Sequence, residues 1–189
     1  MRPQLKLTRA HFLVFPGVIA LADGIKNNGA LASVNILSNG IGAEQANALI
    51  KIMESKSNLT TLCGFSGGET ELDLSKNDLT AGCAVLVANE TKNNGAMTSL
   101  NLSDNNLGEL VLPDGWTEDY DSDEDEEVYK HTDRREQKEH PGRPEGVIAI
   151  SNAIPTMGAL TSLNLSRNNL RAEGAKHVSE AIKQHVSAL

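Results

Sequence analysis

Residues 17–35 read GVIALADGIKNNGALASVN and residues 146–164 read GVIAISNAIPTMGALTSLN, identical at ten of nineteen positions. A chain that copies itself in this way folds as a stack of similar units, because each unit can bury its apolar face only against its neighbours. A shorter pattern, LxxLxLxxNxL, lies alongside. It is clearest from Met97 (MTSLNLSDNNL) and Leu160 (LTSLNLSRNNL), and weaker from Leu31 (LASVNILSNGI) and Glu69 (ETELDLSKNDL). The starts at Glu69 and Met97 are 28 residues apart, as are Leu31 and Leu59, where another LxxL begins. Two breaks interrupt this period. The Leu59 unit, LTTLCGFSGG, reaches no Asn and restarts ten residues later at Glu69. From Met97 to Leu160 there is one full period and 35 residues more. The surplus is 109–143, because Pro144-Glu145-Gly146 stands where the last unit has Ala172-Glu173-Gly174.

Each unit has a physical logic. Leucines at the first, fourth and sixth positions fit a short strand with apolar side chains turned inward. An Asn at the ninth position (Asn39, Asn77, Asn105, Asn168) stands where the chain leaves the strand. There its amide can satisfy backbone groups that the bend would orphan, forming a structural ladder. The return limb carries apolar residues at helical spacing, as in Ala46, Leu49, Ile50 and Met53, or Ala175, Val178, Ala181 and Ile182. Gly29, Gly95 and Gly158 are expected to end the helices. The predicted fold class is α/β: a curved solenoid of about four 28-residue repeats, with a short parallel inner sheet and outer helices. Aromatic residues make up only 3% of the chain, so Leu, Ile, Val and Ala must build the core.

The charge follows the same boundaries. The net charge is -8, and residues 109–143 hold thirteen acidic and five basic residues, which accounts for all of it. One domain over 1–189 is expected, with 109–143 as an acidic, mobile insertion, because like charges at that density repel and leave little to bury. The remaining scaffold is neutral and has no basic stripe, which speaks against nucleic acid as a partner. Cys63 and Cys83 sit in no metal or redox motif and read as small buried residues of a reduced, cytoplasmic compartment. The run from Phe12 to Ala22 mimics a signal peptide, but its internal copy at 146 marks it as a repeat unit. No stretch is long and apolar enough to span a bilayer, so no membrane partner is expected.

The LxxLxLxxNxL unit, repeated at 28 residues over 17–108 and 144–189, resembles the ribonuclease-inhibitor-like class of leucine-rich repeats. TLCG followed by TELDLS is similar to repeat proteins of unicellular eukaryotes. The resemblance implies a binding surface on the inner sheet rather than an enzyme active site. The same class includes Ran GTPase-activating proteins, so a GTPase-regulating role is an alternative implied by the resemblance. Only Arg167 and Arg171 offer cations in the strand-to-helix loops for it.

Candidate binding residues follow from the outward strand positions. Asn35, Asp73, Asn101 and Asn164 form a polar row that could meet a protein or peptide, although the row lacks the aromatic and Arg anchors typical of hot spots. In the acidic insertion, Trp116 and Tyr120 are interleaved with carboxylates and could anchor a basic protein. Ser122, followed by Asp123, Glu124 and Asp125, suits an acid-directed kinase. Asp119, Asp121, Asp123 and Asp125 alternate, but the glycine and closing Glu of a calcium loop are absent in register. His177 and His185 are expected at the surface. No catalytic motif, metal or cofactor is expected. The expected function is a protein-interaction scaffold, acting through the concave face or the acidic loop. A structural unit of a larger array is a further alternative, and the last strand could give weak edge-to-edge self-association in an otherwise monomeric protein.

Overall fold

The computed structural model describes residues 9–110, 116–121, 126–132, 136–137 and 142–188. Five helices lie side by side in chain order: α1 (Arg9–Asn27), α2 (Ala43–Glu54), α3 (Ala81–Thr91), α4 (Glu145–Ala153) and α5 (Arg171–Ala188). Each packs on the next. Opposite them, β1 (Glu71–Asp73), β2 (Ser99–Asn101) and β6 (Ser162–Asn164) form a parallel sheet in that order. Leu72, Leu100 and Leu163 are in register across it. The core between the layers includes Leu62, Leu79, Met97, Leu100, Leu102, Leu107, Ile150 and Met157, each fully buried. Leucine, isoleucine, alanine and valine supply most of the rest.

The helices start by docking on the unit before them. Thr80, at the N-cap of α3, makes no cap bond to its own helix. Its hydroxyl donates to Ile41 O at 2.7 Å instead. Gly146, on the first turn of α4, has no room for a side chain: a Cβ there would lie 2.6 Å from Leu107 O and 2.7 Å from Ala81 Cα. The helix ends differ from the sequence expectation. Gly29, Gly95 and Gly158 are not among the positive-φ glycines, so none is a left-handed stop. After α1, the Asn28 side chain accepts the N–H groups of Ala30 (2.8 Å) and Leu31 (2.9 Å). After α3, Asn94 Oδ1 accepts the Ala96 N–H at 3.0 Å. Asparagine side chains turn the chain there, through the same local competition with helix that keeps Asn out of helix interiors.

The truncated unit has a definite place. Residues 59–63 run beside 33–36, with bridges Ser33↔Thr61 and Asn35↔Cys63. Thr60 N–H donates to Ala32 O (2.9 Å), and Val34 N–H to Thr61 O (3.1 Å). This strand has no helix of its own; α2 packs directly on α3. Gly64, at φ 77°, turns the chain against Asn35, where a Cβ would sit 3.2 Å from the Asn35 Cβ.

The acidic segment carries strands β3 (Trp116–Asp121), β4 (Glu126–His131) and β5 (Glu136–Gln137), paired antiparallel as a second sheet. Val128 and Tyr129 are buried. The sequence expects a mobile loop here, from its like charges and its few residues to bury. The strands contain Trp116, Thr117, Tyr120, Val128 and Tyr129, residue types that favour strands. Asp121 and Glu126 are register partners across β3 and β4. Lys130 Nζ lies 2.8 Å from Asp119 Oδ2, an ion pair between β4 and β3.

Two helix positions also differ from expectation. His185 is buried rather than at the surface, with Nε2 on Leu160 O at 2.9 Å. Ala175 and Ile182 share the helical spacing of Val178 and Ala181 but are exposed, because they face away from α4. No helix among the described residues is long and apolar enough to cross a membrane.

Candidate functional site: the outward sheet face and the break in the repeat

The polar row is first of all a set of local turns. Asn35 Oδ1 accepts Leu37 N–H (3.0 Å), and Asp73 Oδ1 accepts Ser75 N–H (2.9 Å). Asn101 Oδ1 accepts Ser103 N–H and Asn164 Oδ1 accepts Ser166 N–H, both at 3.1 Å. Each side chain therefore bends the chain out of its strand, as Asx turns do. The Asn101 amide also donates to Asp73 Oδ1 at 3.0 Å, joining two units. The hydrogen bonds from Ser75, with help from Asn101, hold the Asp73 carboxyl below the usual carboxylate range.

The Asn ladder is continuous over part of its length. Asn168, 1% exposed, donates to Leu102 O (2.7 Å) and accepts the Leu107 N–H. Asn105 donates to Leu74 O (2.8 Å) and accepts from Asn77 N–H and Leu79 N–H. Asn77 and Asn39 bond carbonyls of their own units only: Ser75 O for Asn77, Ile36 O and Leu37 O for Asn39. The ladder stops between Asn39 and Asn77, where the Leu59 unit fails to supply its Asn.

That break opens a groove of about 290 Å³, lined by Asn35, Leu37, Ser38, Leu74, Asn77 and Leu79. Strand 59–63 separates the first unit from β1 at one end only. At the other end the two units touch directly, with Ser38 Oγ donating to Asn77 O at 2.6 Å. The groove lies between these two regions, with a leucine floor and an amide and hydroxyl rim.

Glu90, on α3, closes the inner side of the same break. Its carboxylate accepts the Leu62 N–H (2.5 Å), the Cys63 N–H (3.0 Å) and the Thr61 hydroxyl (2.6 Å). Burial pushes the Cys63 thiol up, and the Glu90 charge pushes it further, so Cys63 is no nucleophile. Cys83 is buried too, and neither cysteine is in a disulfide.

Trp116 and Tyr120 lie on β3, opposite His131 and Glu127. They are on the second sheet, apart from the parallel-sheet row. Ser122 lies outside the described residues. Arg167 Nη1 is held by Asp104 Oδ1 at 2.9 Å, which also raises its pKa. No metal-holding cluster of His, Cys, Asp or Glu occurs among the described residues. The sequence reading missed the groove residues Leu37, Leu74 and Leu79, although the missing Asn after Leu59 marks the place. It also missed Glu90, for which no sequence signal exists.

Parallel strands on one side, helices on the other and Asn-bonded turns between them define a leucine-rich-repeat architecture. The profile described as Leucine Rich repeat matches residues 96–109 and 160–179. Two of the chain's units are thus leucine-rich repeats. Comparison with the curated proteins gives no match. Among solved structures, the chain is similar to leiomodin-1 actin-binding site 2, at 15% identity and a TM-score of 0.38, covering 90% of this chain and 75% of that one. It is also similar to the tropomodulin C-terminal domain of Caenorhabditis elegans, at 12% identity and a TM-score of 0.27, covering 90% of this chain and 93% of that one.

Proposed function

We propose that the chain is a protein-interaction scaffold of the ribonuclease-inhibitor-like class, a single curved domain whose partner lies along the concave sheet face. The groove at the break in the repeat carries this reading, because leucine and polar side chains line it together at one place on the sheet face. A partner in extended conformation would set one apolar side chain on Leu37, Leu74 and Leu79. The amides of Asn35 and Asn77 at the rim would meet its backbone. Pockets that combine an apolar floor with a few placed polar groups are the common form of specific recognition sites. The acidic insertion, with Trp116 and Tyr120, is a second contact for a basic region of the same partner, bringing it in through long-range attraction.

The GTPase-regulating alternative finds less support. Of its two loop cations, Arg167 is committed to Asp104.

Affinity capture with three forms of the chain tests the proposal: wild type, Ser38→Trp to fill the groove, and a form lacking 111–141. Ser38 is exposed, but its hydroxyl joins the two units and its φ is 59°, so the variant is compared with wild type by circular dichroism and melting first. A partner lost with Ser38→Trp and weakened without the insertion is the expected result. Identical partners for all three forms would contradict it.

A further inference from the structure

We propose that Asn28 is a site of spontaneous modification: its side-chain amide closes on the Gly29 nitrogen to a cyclic imide, which water opens to aspartate and isoaspartate. The pentapeptide Lys-Asn-Asn-Gly-Ala occurs twice in the chain, at 26–30 and at 92–96. The first copy stands at the end of α1 and the second at the end of α3. Asn followed by Gly favours this ring closure, because glycine has no side chain to shield its nitrogen and leaves the backbone free to bring it toward the amide carbon. Local sequence is shared by the two copies, so a difference in rate between them comes from the fold.

At Asn94 the fold restrains every participant. The residue is 8% exposed. Its Nδ2, the leaving nitrogen, donates to Glu69 O at 2.8 Å. The Gly95 N–H, which carries the nucleophile, donates to Asn93 O at 3.1 Å. At Asn28 these restraints are missing. Asn28 and Gly29 are both exposed. Among the described residues, neither Asn28 Nδ2 nor the Gly29 N–H donates to any group. Only Oδ1 is held, accepting the N–H groups of Ala30 (2.8 Å) and Leu31 (2.9 Å). Both donors lie beyond Gly29, so the side chain folds forward over the Gly29 peptide. They also point at the oxygen that gains negative charge as the ring closes. The third Asn-Gly pair is turned the other way. Asn39 Nδ2 donates to Ile36 O and Leu37 O, which draws its amide back from Gly40.

In the closing step the Gly29 nitrogen loses its proton to solvent hydroxide and bonds to Asn28 Cγ. The electron pair of the carbonyl moves to Oδ1. Its return breaks the bond to Nδ2, which takes a proton from water and leaves as ammonia. Water then adds to one imide carbonyl. Opening at Cγ gives aspartate, and opening at the main-chain carbonyl gives isoaspartate, whose chain runs on through the side-chain carbons. Either product places a new carboxylate near Lys56, whose Nζ lies 2.9 Å from Asn28 O. Isoaspartate also lengthens the link between α1 and residues 33–36. The modification therefore falls at the joint between α1 and the repeat stack.

Incubation of the full chain at mildly alkaline pH, followed by peptide mapping and enzymatic methylation of isoaspartate, tests this inference. In the folded chain, product forms at Asn28 at least about tenfold faster than at Asn94 or Asn39. In urea the two Lys-Asn-Asn-Gly-Ala copies convert at equal rates. Gly29→Ala slows the Asn28 reaction at least about tenfold, since the added methyl shields the nitrogen and stiffens the backbone. A Cβ at Gly29 meets nothing within 4 Å, so this variant keeps the circular dichroism and melting of wild type. Equal rates at Asn28 and Asn94 in the folded chain, a difference between them that persists in urea, or an intact Asn28 while the unfolded chain converts would overturn the proposal.

Discussion

At the scale of single residues, the same letter at the same repeat position does different work. Asn168 is buried and links two units, whereas Asn39 is exposed and bonds only its own strand end. Removing a side chain that satisfies buried backbone groups costs more than removing one at the surface. Asn168→Ala should therefore lower unfolding free energy by about 2–3 kcal/mol, and Asn39→Ala by less than about 1 kcal/mol, read by urea denaturation. Equal losses would mean that the ladder is not what distinguishes the two sites. Gly146 is a second residue set by its neighbours. A Cβ would meet Leu107 O and Ala81 Cα, both backbone atoms with little room to retreat. Gly146→Ala should destabilise by about 1–3 kcal/mol in the same assay, despite the higher helix propensity of Ala.

At the scale of elements, the strand at 59–63 survives without a helix because α3 lends it a carboxylate. Glu90 takes two N–H groups and one hydroxyl that no neighbouring strand receives. Glu90→Ala leaves the Leu62 N–H unsatisfied and the Cys63 N–H with only the Thr61 hydroxyl, so a loss of about 2–3 kcal/mol is expected, with faster amide exchange at Leu62 and Cys63. Unchanged exchange at those two amides would show that the strand is held in another way. The loop that follows is tied by Glu69, whose carboxylate accepts the Ser66 hydroxyl (2.7 Å) and the N–H of Gly67 (3.0 Å). Partial desolvation raises its pKa, but the hydrogen bonds from Ser66 and Gly67 outweigh it and hold the carboxyl below its ordinary value. A depressed folded-state pKa stabilises at pH above the ordinary Glu value. That contribution is lost as pH falls through the folded-state value. Glu69→Gln should flatten this part of the acid limb of stability and leave stability at neutral pH only slightly lower, because the half-buried carboxylate is still screened by solvent. An acid limb of wild-type slope in the variant would contradict the assignment.

At the scale of the whole molecule, periodicity made much of the fold legible. Leu72, Leu100 and Leu163 fall in register because the chain spaces its leucines by whole units once residues 109–143 are set aside. The start of that insertion was also legible, since charge and period change at the same residue. Its strands were less so: the charge density hid the β-formers at Trp116, Thr117 and Val128. The site was only half legible. Asn35, Asp73, Asn101 and Asn164 can be read from the strand alternation, but their local turns depend on backbone geometry. The groove needs two units to touch at one end and part at the other, a relation of three segments that no single repeat encodes.

Binding at that groove can be read directly with a photo-crosslinking side chain at position 38, on the groove rim, and another at the exposed position 47 on the outer side of α2. Crosslinks to a protein partner from position 38, absent from position 47 and suppressed by an excess of unlabelled chain, are the expected result. Crosslinks only from position 47, or equally from both, would contradict a partner on the sheet face.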